Sequence, residues 1–286
     1  MKIGIIADLL QLPLDQTIEA AAQFNIQGIQ MYAHGRRWNL CNLDDKQLAQ
    51  MRADCERKNL EFTALCGDLG GHAFENAAEN QDRIAKVKRI IDVAHILGAP
   101  VITGHIGVVL PDRTNVKRRN MQTALYEVGN YAFENGIFFA IETGPELPET
   151  LRDFIKEINS PGIKVNLDPA NIKMVLNYSP IKAVEILMPY IVHSHAKDGH
   201  HVKKCDPAKI YDAFAEGGFV KLLAETGELF HELPLGRGDI DWKEYLKALK
   251  NGGYDGYLTV EREVGVNPFA EIKYAVEFLR TQLAAL

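Results

Sequence analysis

Short apolar runs and longer amphipathic segments alternate along the whole 286-residue chain. Each short run holds five or six residues, is rich in Val, Ile, Leu and Phe, and is bounded by polar or turn-forming residues. Runs of this length and composition are typical of buried β-strands. The eight predicted strands are KIGIIA (2–7), GIQMY (28–32), FTALC (62–66), PVITGH (100–105), FFAIE (138–142), KVNLD (164–168), IVHSH (191–195) and YLTVE (257–261).

The segments between these runs have apolar residues at spacings of three and four, which predicts helices. Residues 43–60 show this pattern, and so do residues 78–99, whose predicted helix ends at Gly98. Eight strand–helix units predict an α/β fold, a (β/α)8 TIM barrel that fills residues 1–286 as a single domain. The competing doubly wound sheet would carry a glycine-rich turn after its first strand, where ADLLQLPLD stands here.

One connection is much longer than the others and runs from Ala196 to Ile240. It contains a predicted helical piece, PAKIYDAFAEGG (207–218), and the turn-rich stretch PLGRGDID (234–241). Long loops that follow barrel strands usually cover or shape the active site. We expect this connection to do the same.

Composition narrows the choice of partners. Hydrophobic residues make up 47% of the chain and charged residues 24%, with a net charge of -6. An acidic protein rarely grips a polyanion, so we expect no nucleic-acid partner. No apolar run approaches the ~18 residues of a membrane span, and the first residues lack the pattern of a signal peptide. We therefore expect a cytoplasmic protein without a membrane partner; a homo-oligomer stays open because such assemblies are common.

Polar residues collect where the predicted strands end, which in a barrel is the edge that carries the active site. The last four strands end in two glutamates, an aspartate and a histidine. Without a cation, such groups would repel one another or lack partners. Their oxygen and imidazole atoms suit one divalent metal ion such as Mn, Co, Zn or Mg. The four candidate ligands are Glu142, Asp168, His195 and Glu261.

Five motifs on the last four strands carry a family resemblance. They are AIETG (140–144), NLDPAN (166–171), HSHAKD (193–198), PLGRGD (234–239) and TVERE (259–263). In this order they resemble the xylose-isomerase-like barrel superfamily of sugar and sugar-phosphate isomerases and epimerases. The resemblance implies that the four candidate ligands hold the metal. It also implies that Glu142 and Glu261 are the catalytic acid and base.

Those two carboxylates suit proton transfer beside a carbonyl group. They come from different strands, so one can remove a proton from one face of a sugar or sugar phosphate while the other returns it on the opposite face. Proton return to the same carbon gives epimerisation, and return to the neighbouring carbon gives isomerisation through an enediolate. A bound metal ion would polarise the carbonyl.

Four further residues are candidates for substrate binding. His105 ends the fourth predicted strand and could hydrogen-bond a hydroxyl group. His193 and Lys197 share the inward alternation of His195 on the seventh strand. His231 lies in the long connection, within reach of the barrel mouth.

Two other activities use the same scaffold. A dehydratase of the inosose or dehydroshikimate type would use the same metal and the same proton abstraction. An abasic-site endonuclease is the weaker alternative, because Asn171 stands where those enzymes carry a histidine and no aspartate lies two residues before His231. The chain has no glycine-rich phosphate cradle, so a free and a phosphorylated sugar both stay open.

Overall fold

Eight parallel strands form a closed barrel in the computed structural model of the chain, which describes residues 1–35 and 37–286. The first strand pairs with the last, Lys2 opposite Tyr257, and this pairing closes the barrel. The predicted (β/α)8 TIM barrel is therefore confirmed. The barrel strands are β1 (Lys2–Ile6), β2 (Gly28–Tyr32), β3 (Glu61–Cys66), β4 (Val101–Gly104), β5 (Phe138–Glu142), β6 (Ile163–Leu167), β7 (Ile191–Ala196) and β10 (Tyr257–Val260).

Helices pack around this barrel and bury their apolar faces against it. Local sequence sets their ends: Asp44 and Gln47 form a reciprocal capping box at the start of one helix, and Gly98 ends another in a left-handed conformation. The helices are α1 (Leu14–Ala22), α2 (Asp45–Arg57), α3 (Ala77–Leu97), α4 (Val116–Glu134), α5 (Pro148–Ile158), α6 (Pro169–Leu176), α7 (Pro180–Leu187), α8 (Pro207–Ala215), α9 (Phe219–Thr226), α10 (Trp242–Asn251) and α11 (Pro268–Ala284).

Short 3-10 turns at Ala7–Leu10, Leu40–Asn42 and Met188–Tyr190 complete the regular structure. Most of the core is one cluster in which barrel residues such as Ile5 and Ile29 pack with helix residues such as Ile90 and Leu246. Within the described part of the chain, no helix is both long and apolar enough to cross a membrane.

The long connection after β7 folds into a small layer over the barrel mouth. It contains α8, α9 and a two-stranded antiparallel sheet made of β8 (Asp198–His201) and β9 (Phe230–Leu233). The predicted helical piece is present as α8. The sequence analysis did not predict the two strands, because DGHH and FHEL are short and mostly polar.

Two close contacts attach this layer to the barrel. The Tyr211 hydroxyl lies against Gly144 just after β5, and a Cβ atom at Gly144 would collide with it. On the other side, Asp198 begins β8 and accepts hydrogen bonds from the backbone of Gly236 and the indole of Trp242, each 2.8 Å long. The layer is thus fixed from both edges of the mouth.

Candidate active site

The four predicted metal ligands lie together at the carboxyl ends of four neighbouring strands. Glu142 is the last residue of β5, Asp168 follows β6, His195 lies in β7 and Glu261 follows β10. Each offers one ligand atom, and these atoms all lie within 4.8 Å of one another. All four side chains are buried. The fold thus brings the candidate ligands into a single cluster at the expected edge of the barrel.

One ring nitrogen of His195 faces all three carboxylates of the cluster. His195 Nδ1 lies 3.1 Å from an oxygen of Glu261, 3.5 Å from one of Glu142 and 3.6 Å from one of Asp168. Burial by itself would lower the pKa of His195, but Glu261 and Glu142 outweigh it and hold the pKa well above its usual value. The carboxylates therefore attract positive charge to this point, which a divalent ion can also supply.

Asp168 has one oxygen engaged and one free. Its Oδ1 accepts the backbone N–H groups of Ala170 and Asn171, both at 2.8 Å, and so caps the start of α6. Its Oδ2 is buried and has no hydrogen-bond partner. A buried carboxylate oxygen without a partner is costly, and a bound cation would satisfy it. The donor set and this free oxygen fit a metal ion.

Gln30 contacts the ring nitrogen of His195 that faces away from the cluster, and so fixes the ring for metal binding. Its Oε1 lies 3.2 Å from Nε2 of His195 and 3.0 Å from Nε2 of His193, while its Nε2 donates to Thr103 Oγ1 at 3.1 Å. Because the amide oxygen accepts from Nε2–H, the proton of a neutral His195 stays on Nε2. Nδ1 is then left as a free lone pair directed at the cluster.

We expect Gln30→Leu to weaken Mn²⁺ binding about 10- to 100-fold, because the ring would lose the partner that fixes its proton and orientation. Titration of free Mn²⁺ by electron paramagnetic resonance measures this affinity. Gln27→Leu is the matched control, since the amide oxygen of Gln27 also accepts a hydrogen bond, from Ile3 N at 3.0 Å, but lies at the opposite end of the barrel. Equal affinity in Gln30→Leu and wild type would contradict a role for Gln30 in holding the ring.

The two candidate catalytic glutamates have different neighbours. Glu142 accepts amide N–H groups from Asn171 at 3.2 Å and from Asn166 at 3.4 Å. Glu261 instead lies 3.3 Å from the ammonium group of Lys197. Burial acts to raise the pKa of Glu261, but Lys197 and His195 outweigh it and lower the pKa. Glu261 is therefore held in its ionised form.

Lys197 is buried among three acidic side chains. Its Nζ lies 2.5 Å from Glu263, 3.3 Å from Glu261 and 3.8 Å from Glu232. Burial alone would lower the pKa of Lys197, but these carboxylates raise it well above its usual value. The ammonium thus stays charged beside the cluster of candidate ligands, and its own charge is already balanced.

The other predicted substrate-binding residues occupy different places. His105 lines the mouth, with Nδ1 3.0 Å from Asp68 and Nε2 4.0 Å from Glu142. Burial would lower the pKa of His105, but these two carboxylates raise it to about 10. His231 also lines the mouth and is partly exposed on β9.

His193 takes a different position from its neighbour on β7. It lies within the barrel interior, bonded to Gln30, and does not line the mouth. Burial lowers the pKa of His193 well below its usual value, so the ring is neutral. The alternation along the strand correctly predicted that the His193 side chain faces inward. In the structure it contacts Gln30 in the barrel interior.

Glu146 is a buried carboxyl group beyond the metal cluster. Burial raises its pKa to about 8, against the opposing effects of His105 and of backbone amides at Glu146 and Val109. Its Oε1 has no hydrogen-bond partner in the structure. The folded protein therefore holds this carboxyl protonated in neutral solution.

This protonation makes the stability of the fold depend on pH. The unfolded chain releases the Glu146 proton near pH 4.5, whereas the folded protein keeps it to about pH 8, so stability falls as the pH rises through this window. In the wild-type protein, the free energy of unfolding should fall by on the order of 3 to 5 kcal/mol between pH 5 and 8. Glu146→Gln should abolish this decrease. Urea unfolding at several pH values measures this pH dependence. Glu134→Gln is the control, because Glu134 is exposed. Parallel pH profiles for wild type and Glu146→Gln would contradict the prediction.

The cluster of candidate ligands lies at the bottom of a cavity of about 750 Å³. Glu142, His195 and Glu261 line its deep end, and its outer end is roofed by the layer after β7. A second cover comes from the loop after β3, where His72 lies 3.4 Å from Asp212 and 3.4 Å from Glu216 of the layer. The outer wall carries four aromatic residues: Tyr211, Phe214, Phe219 and Phe230.

Several of these residues were absent from the sequence-based predictions. Gln30 did leave a signal, because it is a polar residue in the middle of the apolar run GIQMY. Asn166 and Asn171 lie within the NLDPAN motif, but the motif does not say which side chain they contact. Tyr211 and Phe214 left no signal, since aromatic residues on a helix usually belong to a core.

Comparisons with known proteins agree with this architecture. The sequence profile of the family described as xylose isomerase-like TIM barrel matches residues 18–282. The uncharacterized protein MJ1311 of Methanocaldococcus jannaschii is 25% identical over 285 residues, which cover 92% of this chain and 84% of MJ1311.

Solved structures with the same fold include proteins whose names indicate enzymes. A xylose isomerase domain protein from Planctomyces limnophilus superposes with a TM-score of 0.80 at 23% identity and covers 98% of this chain and 96% of its own. The probable 3-DHS dehydratase AsbF of Bacillus anthracis has a TM-score of 0.77 at 17% identity, covering 98% and 99%. A D-tagatose 3-epimerase-like protein has a TM-score of 0.75 at 21% identity, covering 100% and 98%.

The structural likeness at these identities concerns the fold. The profile match, in contrast, spans nearly the whole sequence and includes all four residues of the cluster. By that match, the chain belongs to the xylose isomerase-like TIM barrel family.

Proposed function

We propose that this protein is a metal-dependent sugar isomerase or epimerase that moves a proton on the carbon beside a carbonyl group. The observation that carries the proposal is the cluster of Glu142, Asp168, His195 and Glu261, buried and within 4.8 Å, at the bottom of a cavity. One divalent ion held by these four residues would polarise the substrate carbonyl. The similarity to an epimerase-like protein supports the same class.

Two glutamates of the chain carry out the proton transfer. Glu261, ionised beside Lys197, acts as the base that takes the proton from the carbon. Glu142, which accepts two amide N–H groups, acts as the acid on the other side of the substrate: it gives the carbon a proton taken from solvent, and Glu261 releases its proton to solvent. The cavity is bounded by buried side chains that limit access of water, which protects the enediolate from side reactions.

A proton-exchange experiment tests this function. The Mn-loaded protein is incubated in D₂O with ketoses, ketose phosphates, keto-glycosides, inosose and dehydroshikimate, and the products are followed by NMR. We expect deuterium to enter beside the carbonyl of at least one sugar and a stereoisomer or positional isomer to appear. A dehydrated product would instead indicate a lyase, the activity in the name of AsbF. No exchange from protein with confirmed metal would overturn the proposal.

A further inference from the structure

We propose that the substrate is an uncharged keto sugar that carries a flat apolar substituent, and that this substituent lies on the aromatic residues of the cavity wall. The inference rests on the proposed function, because it assumes that the sugar carbonyl lies at the metal cluster. It adds what the outer end of the cavity recognises. We call Tyr211, Phe214, Phe219 and Phe230 the aromatic wall.

The aromatic wall is a continuous surface. Tyr211 meets Phe214 edge to face at 6.2 Å between ring centres, and Phe214 stacks on Phe219 at 4.2 Å. Phe219 continues to Phe230 at 5.7 Å. At its inner end, Tyr211 lies 5.7 Å from the ring of His105, which approaches Glu142. The wall thus runs from the edge of the metal cluster to the outer opening.

Tyr211, Phe219 and Phe230 pack in part against a small apolar cluster of Val175, Ile210 and Leu229, but the wall also keeps aromatic surface open to the cavity. Phe214 keeps half of its surface exposed, and Phe219 is partly exposed, although both line the cavity. Exposed aromatic surface gathered in one cavity marks a binding site for an apolar group. A ring that stacks there would replace water on several of these faces at once.

The cavity is larger than one sugar needs. At about 750 Å³ it falls in the upper part of the range of roughly 300 to 1,000 Å³ that holds drug-sized ligands. A single ketose bound at the metal cluster would leave the outer end filled with water against phenyl rings. A substituent on the sugar would occupy that volume and cover the wall.

The charges of the lining favour an uncharged ligand. Besides the metal ligands, the cavity is lined by the acidic residues Asp68, Glu232 and Glu263. Among the described lining residues, Lys197 is the one lysine or arginine, and it already pairs with Glu261 and Glu263. His105, the pKa of which its acidic neighbours raise, is likewise already paired with Asp68 at 3.0 Å. A phosphate group in the outer cavity would therefore meet carboxylates without a free cation to balance it.

A matched pair of probes tests the aromatic wall. Phenyl and methyl 3-keto-β-D-glucopyranoside carry the same keto sugar and differ in the substituent. Calorimetric titration of the Mn-loaded protein should give a dissociation constant for the phenyl compound about 10- to 100-fold lower than for the methyl compound. D-Fructose 6-phosphate should bind no more tightly than D-fructose.

Two variants test whether the aromatic wall causes the preference for the phenyl compound over the methyl compound. Phe214→Ala and Phe219→Ala together should reduce the phenyl preference to less than about threefold. Val220→Ala is the matched control, because Val220 lies beside Phe219 on α9, is 81% exposed and does not line the cavity. Thermal unfolding of both variants checks that the layer stays folded. Equal binding of the two glycosides in wild type, failure of both to bind, a preference that survives loss of both rings, or tighter binding of the phosphate would overturn the inference.

Deuterium exchange, scored in the same samples, separates this inference from the proposed function. Tight phenyl binding without exchange would support the aromatic wall and count against the proton-transfer activity. Exchange on both glycosides without a phenyl preference would support the activity and overturn the inference.

Discussion

Glu142→Gln and Glu261→Gln should each lower the rate of net epimerisation or isomerisation by about 10²- to 10⁴-fold, the usual contribution of a positioned acid or base. Each substitution keeps the shape of the side chain and an oxygen that can bind metal, but it removes the group that accepts or donates the proton. The rate is measured by NMR in D₂O at saturating Mn²⁺, so that weaker metal binding does not limit it.

The two variants should also differ from each other. An enzyme that uses one glutamate on each side of the substrate can still exchange the proton handled by the remaining glutamate. Glu142→Gln should therefore keep some exchange at the carbon that Glu261 deprotonates, without net conversion. Glu185→Gln, an exposed change on α7, controls for the loss of one negative charge. Wild-type rates in either active-site variant would rule out the two-carboxylate mechanism.

Asp198→Ala should destabilise the fold by about 3 to 5 kcal/mol and lower the melting temperature by roughly 5 to 8 °C. The buried carboxylate accepts four hydrogen bonds, from Gly199 N and Gly236 N at 2.8 Å, from the Trp242 indole at 2.8 Å and from Ile240 N at 3.4 Å. Its removal would leave these donors without their partner, and water could not readily replace it at Gly199, Ile240 and Trp242, which are buried.

Asp239→Ala is the matched control for that loss. Asp239 lies in the same segment but is exposed, and it pairs with His200 at 2.9 Å on the surface. We expect Asp239→Ala to cost less than about 1 kcal/mol. Calorimetric melting of both variants measures the difference. Equal small losses would mean that the turn after β9 is held by its backbone alone.

The prediction for Asp198 also bears on the active site. Asp198 follows Lys197 in the HSHAKD motif, so one residue holds the layer while its neighbour reaches the metal cluster. Loss of Asp198 would allow the aromatic wall to move relative to Glu261. Asp198→Ala should therefore weaken binding of the phenyl probe even at temperatures where it is folded.

The sequence by itself determined the barrel and the identity of its candidate ligands. Buried parallel strands must be continuously apolar, so their positions can be read directly, and all eight were found within one or two residues of their ends. The edge where parallel strands end is the same for all of them. Polar residues such as Glu142, Asp168 and His195 at successive strand ends therefore had to converge.

Only the tertiary structure decided what each polar residue touches. His193 and His195 share one face of β7 and both contact Gln30, yet His195 also faces three carboxylates, because the two residues lie at different depths of the barrel. Strand alternation gives a direction and not a depth. The pairing of Lys197 with Glu263 likewise depends on the tertiary structure, because it forms where β7 and β10 lie side by side in the barrel.

The sequence did not predict the layer over the barrel mouth. Its strands β8 and β9 are too short and too polar to stand out, and the aromatic wall looks like the apolar face of an ordinary helix. These elements are stable because they pack on the barrel, through Tyr211 against Gly144 and through the hydrogen bonds of Asp198. Such contacts join residues far apart in the chain, so the local sequence pattern does not predict them. The barrel strands, in contrast, can be predicted locally, because each buried strand is an apolar run.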